Sequence, residues 1–388
     1  MCLRVCVREA NPLECTFIFR AKRASEGMEE LQHSSTQHYS ASDEYRPEPE
    51  VKPLPARWLD GSTRIGIHTS IAGDICSALD IAHNLGANAL QIFSASPRMW
   101  SRGAVGSKAR EASVERFRAR RAELELGPLV VHTNYLINLA SCQRVLRVRS
   151  IQAFHDEIVR AVALGADFLV THPGCGCGVE MSAAIVAIAD GLRQAARGVS
   201  FGGLRLLLEN TAGQGTSVGS RFSELRAILD LCPELPLGVC VDTAHLFAAG
   251  HDLRRVEGLE RALAEISATV GLERVFVIHV NDSKGALGSH LDRHEHIGKG
   301  KIGREGFRGI LNHPQLAGRA FILETPIDRP GDDRRNVDAL WRLAGQKPRS
   351  VRRASDGFAP RRQTKRVHGE IPPARKARRR RNSARRRG

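Results

Sequence analysis

The chain has 388 residues, 42% of them hydrophobic and 26% charged, with a formal net charge of +16. That length allows one large core with extensions, and no apolar run approaches membrane length, so no membrane partner is expected. The charge is uneven: from Lys347 onward 17 of the 58 basic residues stand with only 2 of the 42 acidic ones, which leaves 41 basic and 40 acidic side chains in the first 346 residues.

Residues 1–60 are mixed in composition and carry a Pro/Glu-rich stretch from Tyr45 to Pro55, read as a disordered extension. Residues 61–345 are read as one folded domain. Within it eight short aliphatic runs recur, each followed by a polar or glycine-rich stop. They are Ile65–His68, Leu90–Phe93, Leu129–His132, Phe168–His172, Leu206–Glu209, Val239–Asp242, Val275–His279 and Phe321–Glu324. Near-continuous apolar runs are what strands of a parallel sheet look like when both faces are buried. Between them lie helical patterns. Ile75, Ala78, Leu79, Ala82 and Leu85 are closed by Gly86, and Ile151, Phe154, Ile158, Ala161 and Val162 are ended by Gly165. Further helices fit 181–196, 223–231, 256–270 and 304–311. Strand and helix alternating eight times point to a (β/α)8 TIM barrel. An open doubly wound sheet would also alternate. No GxGxxG follows the first run, however, and the polar tips are spread over all strands. Residues 346–388 read as a basic, disordered tail whose natural partners are nucleic-acid phosphates.

Seven of the eight runs end at or just before a His, Asp or Glu. In an α/β barrel the C-terminal tips of the strands hold the chemistry. His132, His172, Glu209, Asp242, His279 and Glu324 stand at such tips, with His245, Asp292 and His294 in following loops. Asp242 and His245 share a face if the chain turns helical there, and Asp292 and His294 share one if it is extended. Each residue alone reads as a rim or core group. Together, five imidazoles and four carboxylates around one mouth would leave mutually repelling buried charges unless cations sit among them. Nine ligands exceed the need of one zinc and suit a cluster of two or three.

Nine cysteines with no framework spacing fit reduced thiols in a cytoplasm. Cys175 and Cys177 are read as loop residues.

The stretches HTNYLINLAS (132–141), ENTAGQG (209–215), DTAHLFAAG (242–250), HVND (279–282) and DRHEHIGKG (292–300) resemble the endonuclease IV family of apurinic/apyrimidinic endonucleases, from about Arg64 to Leu343. The resemblance implies three zinc ions per chain. His132 and His172 would hold the first. Glu209 would bridge it to a second, also bound by Asp242, His279 and Glu324. His245, Asp292 and His294 would hold the third. It further implies hydrolysis of the phosphodiester 5′ to an abasic site in double-stranded DNA. Glu209 would orient the nucleophile, and the products would be a 3′-hydroxyl and a 5′-deoxyribose phosphate. Trimming of blocked 3′ ends is implied too. Arg98, Tyr135 and Leu136 would wedge into the duplex, while Asn138 and Lys299 would contact phosphate. A monomer, cytoplasmic and associated with the nucleoid, is expected. The departures from the family pattern are Thr133, Asn134, Ala244 and the run Gly174–Cys177, and none removes a ligand.

Two other readings remain open. One is a xylose-isomerase-like sugar isomerase or epimerase, which would use Glu209, Asp242, His279 and Glu324 with manganese or magnesium. The other is a basic-tailed DNA binder on a decayed scaffold, whose affinity would vanish with the tail.

Overall fold

A computed structural model of the chain describes residues 61–100 and 108–349. Eight parallel strands close into a barrel: β1 (Arg64–His68), β2 (Ala89–Phe93), β3 (Leu129–His132), β4 (Phe168–Thr171), β5 (Arg205–Glu209), β6 (Leu237–Asp242), β7 (Val275–His279) and β10 (Ala320–Leu323). The order around the barrel is β1-β10-β7-β6-β5-β4-β3-β2. A separate two-stranded hairpin, β8 (Asp282–Ser283) with β9 (His294–Glu295), stands after β7. The TIM-barrel expectation therefore holds.

Helices cover the outside: α1 (Cys76–Asn84), α2 (Lys108–Glu123), α3 (Arg144–Leu164), α4 (Met181–Ala196), α5 (Phe222–Leu231), α7 (Val256–Thr269), α8 (Gly303–Leu311) and α9 (Asp332–Leu343). The short α6 (Thr243–Ala248) follows β6 directly. Gly165 ends α3 at φ 68°, a left-handed position where glycine has no Cβ penalty.

Side chains alternate along each strand with period two, so each strand feeds two cores. Leu129, Val131, Leu169, Leu206 and Leu208 face the helices, in the larger core. Ala89, Val130, Phe168, Val170, Leu207, Cys240, Val277 and Ile322 fill the barrel interior. The interior is tightly filled. A Cβ on Gly66 would lie 2.4 Å from Ile322 Cδ1 and 2.8 Å from the Ala89 carbonyl carbon.

The same alternation decides where the polar tips point. On β3 the interior residue after Val130 is His132, on β5 it is Glu209 after Leu207, and on β6 it is Asp242 after Cys240. On β7 His279 follows Val277. Glu324, just past β10, follows Ile322 in the same way, as does His172 past β4 after Val170. The candidate ligands form the top layer of the interior packing, above a floor of aliphatic side chains.

The expected N-terminal extension lies outside the described residues, as does the basic tail from residue 350 onward. Gln346 donates from Nε2 to Thr63 Oγ1 at 2.7 Å, and Arg334 donates to the Arg349 carbonyl at 3.3 Å, so residues 346–349 pack on the barrel.

Replacing Gly66 by Ala is expected to cost about 1–3 kcal/mol through overpacking of the barrel interior. Urea unfolding measures it, and an unchanged midpoint at constant slope would contradict a filled interior.

Candidate metal centre

Glu209 is fully buried at the end of β5 and lies at the middle of the tip residues. Its Oε2 lies 3.2 Å from His132 Nε2 and 3.5 Å from His172 Nε2. Its Oε1 lies 2.9 Å from His279 Nδ1 and 3.6 Å from His245 Nδ1. His279 Nδ1 also lies 3.3 Å from Glu324 Oε2. Among the described residues three sets of ligand atoms gather within 4.8 Å: His132, His172 and Glu209; Glu209, Asp242, His279 and Glu324; and Asp242, His245 and His294.

Asp292 adjoins the last set. Its Oδ1 lies 3.3 Å from His245 Nε2 and 3.6 Å from His294 Nε2. All nine residues singled out in the sequence thus meet at one mouth, with Asp242 reaching both the central and the third set.

Local structure explains how short motifs deliver these groups. Asp242 caps α6, accepting from the His245 backbone N–H at 2.8 Å, which sets His245 one turn further on. The β8–β9 hairpin brings Asp292 and His294 back over the mouth. Asp282 anchors that region from below. Its carboxylate accepts backbone N–H groups from Ser283, Gly298, Gly300 and Ile302 at 2.9–3.0 Å.

The imidazoles are oriented by acceptors behind them. Nδ1 of His132 meets the Thr133 carbonyl at 2.8 Å, and Nδ1 of His245 meets the Asn210 carbonyl at 2.9 Å. Nδ1 of His294 meets the Glu324 carbonyl at 3.3 Å. These contacts leave Nε2 of each ring facing the mouth, the arrangement usual for metal-bound histidine. Among the described residues His294 Nε2 is buried with no hydrogen-bond partner, 3.6 Å from both Asp242 Oδ2 and Asp292 Oδ1. Two ligands about 2.1 Å from one tetrahedral ion stand about 3.4 Å apart. Separations of 3.2–3.6 Å between these groups match that value, while His279 Nδ1 and Glu209 Oε1 stand closer, at hydrogen-bond distance. The residues fit divalent cations.

Electrostatics agree. Burial pushes His172 down to about 4, so it offers a neutral ligand. Burial also opposes charge on His245, but Asp242, Asp292 and Glu209 outweigh it and drive that group up to about 10. For His279, burial is outweighed by Cys240, Glu324 and Glu209, and its pKa lies well above the ordinary value. Glu209 and Glu324 are held well below the usual carboxylate range by the surrounding imidazoles, against the effect of their burial. Without cations, the site balances its carboxylates with protons.

Side chains missed in the sequence tie the cluster together. Asn281 donates to Asp242 Oδ2 at 2.6 Å and accepts from the Glu324 N–H at 2.9 Å. Asn210 accepts from the Asp242 N–H at 2.7 Å. Gln91 reaches His279 at 2.8 Å and Glu324 at 2.5 Å. Gln91 had a visible signal, since it sits in the one aliphatic run of the eight that lacks an ionisable tip.

The residues expected at a DNA surface divide. Arg98 and Lys299 are exposed, Tyr135 is 43% exposed, and Leu136 is half-buried beside it. The Tyr135 N–H donates to the Pro97 carbonyl at 3.2 Å, joining the loops after β2 and β3. Asn138, expected at phosphate, is half-buried and joins two loops. Its Nδ2 donates to the Cys175 carbonyl, and its Oδ1 accepts from the N–H groups of Ala140 and Cys175, all at 3.0–3.1 Å. That amide is engaged within the protein and clamps the loops after β3 and β4. Cys175 and Cys177 are free thiols in the second of those loops.

The comparisons with known proteins come to the same region. A family model described as a xylose isomerase-like TIM barrel matches residues 79–344. "Probable endonuclease 4" of Solibacter usitatus (strain Ellin6076) is 50% identical over 287 residues, 73% of this chain and 98% of that protein. Its counterpart from Chloroflexus aurantiacus (strain ATCC 29366 / DSM 635 / J-10-fl) is 42% identical over 283 residues, 72% and 98% of the two chains. Among solved structures, endonuclease IV from Thermus thermophilus aligns with a TM-score of 0.63 at 39% identity, covering 73% of this chain and 99% of that one. A D-tagatose 3-epimerase-like protein aligns at 0.54 with 18% identity, covering 73% and 98%, which reflects the fold alone.

Cation uptake should release protons. In the metal-free protein the raised pKa of His245 contributes stability that is complete below its unfolded value near 6.5 and is lost as pH rises through about 10. Zinc added at pH 8 displaces that proton. Calorimetry in buffers of different ionisation enthalpy measures the release. An enthalpy independent of buffer would show the ring already neutral.

Proposed function

The chain belongs to the endonuclease IV family, and from that premise we propose that it is a zinc-dependent endonuclease that hydrolyses the phosphodiester 5′ to abasic sites in double-stranded DNA. The observation that supports this most is the gathering of nine His, Asp and Glu side chains, Glu209 at their middle, at ligand spacing around one mouth. A metal-dependent nuclease needs such a set.

Three zinc ions per chain are proposed. His132, His172 and Glu209 would hold one, and Glu209, Asp242, His279 and Glu324 a second. His245, His294 and Asp292 would hold the third, with Asp242 at its edge. When bound, divalent ions supply a hydroxide nucleophile near neutral pH and offset charge on the phosphoryl and leaving oxygens.

The chain's own groups do the rest. Glu209 spans the first two sets and orients the nucleophile between them. The aliphatic floor under the tips excludes water from below. The Cys240 thiol, beside His279, is pushed up to about 12 by burial and is no nucleophile. Products with a 3′-hydroxyl and a 5′-deoxyribose phosphate follow from cutting on the 5′ side, and the same centre would trim blocked 3′ ends.

Substrate choice rests on the loops. An abasic nucleotide has lost its stacking, so turning it outward costs a few kcal/mol less than for a normal one. Arg98, Tyr135 and Leu136 would fill the gap, Arg as a cation and the others as wedges. Lys299 would hold phosphate, whereas Asn138 is assigned to the loop clamp. The basic tail would tether general DNA, and the enzyme would act as a monomer in the cytoplasm, at the nucleoid. Among the described residues no helix is long and apolar enough to cross a membrane.

A sugar isomerase would need only the central set and would leave His132, His172, His245 and His294 idle. Elemental analysis separates the two: three zinc ions per chain here, one or two oxygen-preferring ions there.

Cleavage of a duplex carrying one tetrahydrofuran abasic analogue tests the reading, because that analogue blocks β-elimination. Glu209→Gln is expected to lower the single-turnover rate by about 10³-fold, matching the loss of several kcal/mol of charge stabilisation. Cleavage that survives prolonged chelation would sink the assignment. Arg98→Ala is expected to weaken binding to the abasic duplex with zinc content unchanged, and undiminished discrimination against intact DNA would remove Arg98 from the wedge. Truncation after Arg349 should lower DNA affinity and flatten its salt dependence while sparing the single-turnover rate.

A further inference from the structure

The barrel interior contains one amide that packing alone does not explain. Gln91 lies on β2 with no exposed surface. A polar side chain in such a place is costly unless every donor and acceptor is used. Gln91 uses all of them. Its Nε2 donates to Glu324 Oε1 at 2.5 Å and lies 3.0 Å from His68 Nδ1. Its Oε1 lies 2.8 Å from His279 Nε2.

These partners fix the amide's orientation. The Glu324 carboxylate only accepts, so the NH2 end must face it and the carbonyl must face His279. His279 Nε2 must then carry a proton and donate it. The ring's other nitrogen, Nδ1, faces Glu209 Oε1 at 2.9 Å and Glu324 Oε2 at 3.3 Å, and it offers its lone pair there once no proton holds it. A lone pair set between two carboxylate oxygens is a place for a cation.

His279 is thereby unlike its neighbours. His132, His245 and His294 use Nδ1 on a backbone carbonyl and present Nε2. His279 presents Nδ1 and finds its acceptor in a side chain on the other side of the barrel. The same amide occupies Oε1 of Glu324, which leaves Oε2 turned toward His279.

We propose that Gln91 is a positioning residue for the central metal set, selecting the Nε2–H tautomer of His279 and the free oxygen of Glu324 with one side chain. This rests on the metal-centre reading above and adds a residue that touches neither substrate nor ion. Removing such an outer partner weakens metal binding about 10- to 100-fold.

The test uses the full chain loaded with zinc. Gln91→Leu keeps the bulk and removes all three hydrogen bonds, whereas Gln91→Glu keeps an acceptor for His279. In the wild type, 15N-resolved imidazole spectra should show His279 protonated at Nε2 with zinc on Nδ1. The slowly exchanging Nε2–H should vanish in Gln91→Leu and persist in Gln91→Glu. Chelator competition should show one zinc of three released about 10- to 100-fold more readily from Gln91→Leu. Protonation of His279 at Nδ1, or identical chelator resistance in Gln91→Leu and wild type, overturns the proposal. Wild-type protein that takes up no zinc would overturn the metal-centre reading itself, a result separable from the other two.

Discussion

A carboxylate without solvent, hemmed by imidazoles on both oxygens, sets the terms for this molecule. Glu209 sits at the centre of five histidines and three other acids, and most of these groups are buried. Burying such charges costs several kcal/mol each unless they are balanced in place. Protons on His245 and His279 balance them in one state, and cations do so in the other. Metal binding, proton release and stability are therefore one linked equilibrium. His172 stands apart. Burial keeps it neutral near pH 7, so it accepts a cation without losing a proton first.

The barrel makes such a concentration of charge tolerable. Strand alternation sorts side chains into an outer core under the helices and an inner column. The inner column is aliphatic until its last layer, where the ligands stand. Apolar packing below sets the backbone rigidly, and the ring of strand ends projects side chains from all directions onto a point. The groups that would meet DNA are treated differently. Arg98, Tyr135 and Lys299 are on loops and open to solvent. Rigid elements position the chemistry, and loops meet the variable substrate.

The eight strands and the six tip residues were readable because each rests on local pattern: an apolar run, then an ionisable end. The helix at Met181–Ala196 coincides with its sequence reading for the same reason. Helix α2 escaped because its sequence, KAREASVERFRARRAE, is charged at nine of its sixteen positions and carries no apolar stripe, with Phe117 its one fully buried apolar side chain among the described residues. The hairpin β8–β9 is too short for any periodicity. Asn138 has a partner 37 residues away, the Cys175 carbonyl, and a long-range hydrogen bond leaves no mark on spacing. The same holds for Gln91, whose partners lie on β1, on β7 and past the end of β10.

Sharing a fold with sugar epimerases does not bring their chemistry, and the arrangement of ligands shows why. The central set of Glu209, Asp242, His279 and Glu324 is what an isomerase-type barrel also needs for an ion that polarises a small hydroxy-carbonyl substrate. What this chain adds lies on either side of it. His132 and His172 come from the tips of β3 and β4, and His245, Asp292 and His294 come from α6 and the hairpin. Those additions extend the site on either side of the central set. A carbonyl carries its charge on one oxygen and is served by one ion. A phosphodiester spreads charge over non-bridging oxygens, nucleophile and leaving group, roughly in line, and is served by more than one. The scaffold is common to both, and the flanking histidines make the difference between them.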